Sequence, residues 1–135
     1  MYESQILRAL QTGVTAAVQA SVMPALPIAY VDVNFTKPND QKWLEVVHIP
    51  NNDNSAFLGQ EKNYMGLLRL VLHWPNSGAG AYTRLDLLGS IADYFAKGLM
   101  LDGVQIVQAA DYTGALRNGD DLAYALSIRY VSYRP

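Results

Sequence analysis

Gly78-Ala79-Gly80 stands between an apolar run closed by Pro75 and a segment of helical periodicity. Dinucleotide-binding loops occur at that kind of junction, because a backbone without side chains can approach a pyrophosphate at a helix N-terminus. The full fingerprint requires a further glycine where this chain has Thr83, and no Walker lysine follows. The spacing reads better as a tight turn that folds the helix back over a sheet, with nucleotide binding at Gly78–Gly80 kept as the rival. His48 and His73 each fall near a strand end, without neighbours spaced as metal ligands. No Gly-x-Ser-x-Gly elbow is present, and nothing marks a serine, histidine and acid as a triad. Asp111, Asn118, Asp120 and Asp121 gather around a turn without the spacing of a calcium loop, and Asn51 to Ser55 lacks that spacing too. No cofactor or metal is expected from these residues.

The chain has no cysteine, which removes disulfides, thiolate metal sites and cysteine nucleophiles together. A net charge of −2 with no basic run argues against tight binding of nucleic-acid phosphates. Half of the 135 residues are hydrophobic and only 16% are charged, below the usual share of about a quarter. Two readings fit: a surface partly covered by other subunits, or a compact domain with a neutral polar exterior. Glu3 and Arg8 interrupt any signal-peptide pattern, and no apolar run has the length of a membrane span. The expectation is one domain over residues 1–135, soluble and made in the cytoplasm, with no membrane partner.

The elements that must carry these residues follow from periodicity. Residues 3–21 place Ile6, Leu7, Leu10, Val14, Ala17 and Val18 on one helical face, and Pro24 and Pro27 end the helix. Ile28 to Phe35 reads as a strand, Lys37 to Asp40 as a turn, and Trp43 to Ile49 as the second arm of a hairpin. The polar stretch from Asn51 to Asn63 carries an isolated Phe57-Leu58 pair, which suits docking on a neighbour or tucking onto its own core. Tyr64 to Trp74 is apolar on both faces and reads as a central strand covered on both sides. Ala81 to Phe95 is a helix with Leu85, Leu88, Ile91, Ala92 and Phe95 inward, ended near Lys97-Gly98. Val104 to Ala109 is a short strand, Asp111 to Asp121 a polar link, and Leu122 to Tyr133 the last strand. One face of that strand is core, and the other is small and polar, fit for solvent or a subunit contact. The order predicts an α+β fold with about five strands, mostly antiparallel, under two main helices. Only the helix after Trp74 offers a crossover for a parallel pair.

Taken along its whole length, the chain resembles the tail-terminator-like proteins of long-tailed bacteriophages. The likeness is carried by the N-terminal helix, Ile28-Ala29-Tyr30-Val31-Asp32-Val33-Asn34-Phe35, Trp43-Leu44-Glu45-Val46 and the loop ending in Phe57-Leu58-Gly59. It continues through Tyr64-Met65-Gly66-Leu67-Leu68-Arg69-Leu70-Val71-Leu72, Gly78-Ala79-Gly80, the helix to Tyr94-Phe95, and Ile128-Arg129-Tyr130. The Tyr-Met-Gly strand followed by Gly-x-Gly and a helix is its most specific block. The resemblance implies a non-enzymatic virion protein without cofactors. Its partners would be copies of itself in a ring, typically a hexamer, the tail tube protein and the head-tail connector or stopper. The ring would sit at the head-proximal end of the tail, stop tube growth and let DNA pass through its lumen. Another neck or tail component, a tube subunit or head-side stopper, is the near rival. Phe57, Leu58, Tyr112 and Leu116 are the expected subunit contacts.

Overall fold

The computed structural model describes residues 3–51, 63–75, 81–118 and 121–133. In chain order the elements are α1 (Glu3–Gln19), β1 (Ile28–Ala29), β2 (Trp43–Asn51), β3 (Asn63–Pro75), α2 (Ala81–Tyr94), β4 (Met100–Leu101), β5 (Val104–Ile106), β6 (Asp111–Asn118) and β7 (Asp121–Tyr133). They form a mixed α+β fold: one sheet in the order β1-β2-β3-β7-β5-β4, with β6 also paired to β7.

β3 is central, as its apolar run predicts. It pairs antiparallel with β2 from Trp43↔His73 to Asn51↔Met65 and with β7 from Asn63↔Tyr133 to Pro75↔Asp121. The alternation of side chains then sorts the three strands into two faces. Leu68, Leu70, Leu72 and Trp74 share a face with Leu44 and Val46 of β2 and with Leu122, Tyr124, Leu126, Ile128 and Tyr130 of β7. All are buried, and they join Ile6, Leu10, Val14 and Val18 of α1 and Leu87, Leu88 and Ile91 of α2 in one core. Each such side chain contributes about 1.5–3 kcal/mol by leaving water.

Both helices lie on that one face, so among the described residues no helix supplies the cover expected on the second side of β3. The opposite face carries Trp43, Val47, Ile49, Met65, Leu67, Arg69, Val71, His73 and Arg129. Ala125 and Val131 are buried there yet belong to no part of the core under the helices. An apolar run on both faces of a strand does not by itself say that the cover belongs to the same chain.

Four further expectations change. The strand expected over Ile28–Phe35 stops at Ala29, because Asp32 adopts a left-handed φ of 57° and turns the chain away. β1 and β2 are parallel, with Ile28↔Leu44 and Ala29↔Glu45, rather than arms of a hairpin. Residues 30–42 supply the long connection that a parallel pair needs, tied to α1 by Val31 N–H donating to Gln11 Oε1 at 2.9 Å and by Thr15 Oγ1 with Tyr30 Oη at 2.5 Å. The polar link from Asp111 is largely a strand, β6, which closes on β7 at Asn118↔Asp121. In α2, Leu85 is 48% exposed and Leu87 takes the core position.

β5 and β6 lie along the same edge of β7, against residues 130–132 and 121–127 respectively. Val107 N–H donates to the Arg129 carbonyl at 3.1 Å between them. Gly98, at φ 94°, ends the turn after α2 and donates its N–H to the Ile106 carbonyl at 2.7 Å. No described helix is long and apolar enough to cross a membrane.

Candidate functional site

The two histidines are explained by packing rather than catalysis. They belong to opposite faces: His48 stands opposite Leu68 on the core face, and His73 opposite Trp43 on the open face. They therefore cannot share an ion. His48 Nε2 lies 2.5 Å from Tyr130 Oη, and the two rings stack with centroids 5.7 Å apart. Their meeting depends on Gly66, which sits opposite both Tyr130 and Pro50. A Cβ at position 66 would lie 2.7 Å from Tyr130 Cζ and 2.9 Å from the Ile49 carbonyl oxygen. The glycine of the Tyr-Met-Gly block is thus the gap through which the tyrosine hydroxyl reaches the histidine.

On the open face, His73 Nε2 lies 3.0 Å from Glu45 Oε1. Its ring stacks on Trp43 at 4.0 Å and 8°, and Phe35 closes on the other side of Trp43 at 5.0 Å. The His73 side chain is 14% exposed and Glu45 42%, so the aromatic packing outweighs an ion pair that water screens. Lys42 Nζ, 4.7 Å over the Trp74 ring, further ties this end of the sheet.

Asp111 stands apart from Asn118 and Asp121, which pair with each other where β6 meets β7. Asp111 opens β6 and Asn118 closes it, which separates them by about 24 Å of extended chain. Asp120 lies outside the described residues, as do Gly78-Ala79-Gly80 and the Phe57-Leu58 pair. Among the described residues no three His, Asp or Glu side chains come together as a metal site.

What remains is surface. Tyr112 is 49% exposed on β6. Its ring lies 6.2 Å from Tyr124, over which the Arg84 guanidinium sits at 4.8 Å. Burial, and then Tyr124, push the Tyr112 hydroxyl above its ordinary pKa, while Arg84 pulls the other way. Leu116 is on the same strand but opposite Ala123, whereas Tyr112 is opposite Leu126. Periodicity missed the open sheet face; the doubly apolar β3 was the available signal. It also missed the β6 edge, whose glycine and charged residues disguise a strand.

Comparison with known proteins points one way. The family model described as phage tail terminator protein matches residues 5–130. No curated protein matches. One solved structure, 21% identical, superposes with a TM-score of 0.80 over 100% of this chain and 99% of the other. A chain from the virion of a native gene transfer agent particle, 13% identical, superposes with a TM-score of 0.66 over 99% of this chain and 100% of that one. Both likenesses are of fold.

Proposed function

The chain belongs to the phage tail terminator protein family, and from that premise we propose that it acts as a ring at the head-proximal end of the tail tube. The ring stops tube growth and presents its other side to the head connector or stopper, and genome DNA passes through the middle. The family match over residues 5–130 carries this reading. The sheet supports it: among the described residues the helices cover one face, and the other, with Trp43, Val47, Leu67 and Val71 only partly buried, suits a subunit that is completed by others. So does the likeness of fold to a chain of a virion particle. Function in this reading is structural: His48 and His73 pack within and across strands, and no cofactor takes part. One domain over residues 1–135 does the work, in the virion after assembly in the host cytoplasm.

The deciding experiment is deletion of the gene from its source phage, with tail lengths measured by electron microscopy. Termination requires overlong, headless tails, restored to one length by the chain supplied in trans. Normal tails that still join heads would remove the reading. Absent tails would move the chain to the tube or its initiation.

A further inference from the structure

We propose that the ring closes by strand addition, with the outer edge of β6 in one copy pairing antiparallel with β2 of the next at Val46 and Val47. The proposal rests on the ring reading above and names the contact that would make it.

Strand sense comes first. β2, β3, β7 and β6 alternate in direction across the sheet, each antiparallel to its neighbour. β2 and β6 therefore run oppositely at its two sides. A rotation about an axis roughly along the strands keeps their directions, so β6 of one copy meets β2 of the next antiparallel. Head-to-tail contacts between two different patches are what a closed ring requires.

The backbone phase agrees on both sides. On β2, Leu44 N–H points outward and donates to the Pro27 carbonyl at 2.9 Å. Side alternation then turns Val46 outward too. β1 covers this edge only at Leu44 and Glu45, and the chain leaves it at Tyr30. Beyond that point a groove of about 480 Å³ follows the edge, walled by Tyr30, Asp32, Phe35 and the strand itself. Pro50, without an N–H, limits the ladder at the other end. On β6, the Arg129 carbonyl accepts from Val107, so odd-numbered residues of β7 serve the β6 side. Asp111 and Thr113, opposite Ser127 and Ala125, turn inward, and Tyr112 and Gly114 turn outward. Among the described strands β6 pairs only with β7.

The register that places Gly114 opposite Val46 and Thr113 opposite Val47 satisfies both edges. It puts Thr113 and Val47 on the open face together, since Thr113 shares the face of Ala125 and Val71. Gly114 has open space around its Cβ position, which lets the strand pass beside the Tyr30–Phe35 wall. The shift in register between Thr113 and Leu116 falls where β1 occupies the neighbour's edge. The half-exposed Tyr112 and Ile49 flank the joint, the kind of apolar anchor an interface needs.

The natural absence of cysteine makes the test direct. Val47→Cys and Thr113→Cys place thiols at a spacing that cross-strand disulfides accept. The double variant, assembled into tails and oxidised, should give a covalent ladder ending in one closed oligomer on non-reducing gels, and each single variant should stay monomeric. A dimer from Thr113→Cys alone would show β6 pairing with itself and overturn the proposal. So would tails of normal length that contain the double variant and give no cross-link. A wild-type chain that failed to restore tail length while the double variant still formed the ladder would remove the terminator reading and leave the edge contact standing.

Discussion

Gly66 and Tyr130 face each other across β3 and β7, and neither residue type is interchangeable there. The ring of Tyr130 crosses the space a side chain at 66 would fill, and the Ile49 carbonyl closes it from the other side. Backbone cannot step aside as a flexible side chain can. Gly66→Ala should therefore cost about 1–3 kcal/mol, the range for overpacking a filled interior, and chemical denaturation would measure it. Adding Tyr130→Phe should lower the penalty by removing Oη, the nearest of the three colliding atoms. Additive losses in the double variant would mean that the two residues are not in contact. This glycine was visible in the sequence as part of a family-like block, but its reason was not. A pairing between residues 66 and 130 depends on strand register, which no local pattern carries. The histidines show the same limit. Strand ends were the right place for both, but which face each occupied, and hence their separation by the whole sheet, follows from pairing alone.

Elements with strong local periodicity were legible: α1, α2, the central β3 and the long β7 stand where their apolar patterns put them. Those decided by tertiary pairing were not. Ile28 to Phe35 has strand composition, yet only two of its residues find a partner, because Asp32 turns the rest toward α1. Asp111 to Asn118 has turn composition, yet it becomes β6 because β7 offers an edge. In α2 the alternatives Leu85 and Leu87 differ by less than a helical turn, and the sheet selects Leu87. That helix also holds a plain test. Gly89 is exposed within α2 and nothing lies within 4 Å of its Cβ position. Gly89→Ala should therefore gain stability from helix propensity alone, about 0.8–1 kcal/mol, read as a rise of several degrees in Tm. A loss in the isolated chain would show that the surface of α2 is covered by something within its own fold. A gain accompanied by failure to restore tail length would place α2 at a contact with another protein.

At the scale of the molecule, the proposed conduit makes a demand of its own. Packaged DNA must slide through the ring, so the lumen must not hold phosphates. Tight binding comes from lysines and arginines clustered to displace counterions. This chain carries 10 of them against 12 aspartates and glutamates. On the open face Arg69 and Arg129 are exposed, but they share it with Glu45. Assembled rings should thus bind duplex DNA more weakly than ordinary non-specific binders, whose dissociation constants run from about 10⁻⁴ to 10⁻⁶ M at physiological salt. Fluorescence anisotropy of a labelled duplex, titrated with rings at rising salt, measures both strength and slope. A flat response across the series is the expected result. Micromolar binding that falls steeply with salt would mean that several phosphates are gripped at once. That behaviour belongs to a protein that anchors DNA, and it would turn attention from the lumen to whichever surface brings Arg69 and Arg129 of neighbouring copies together.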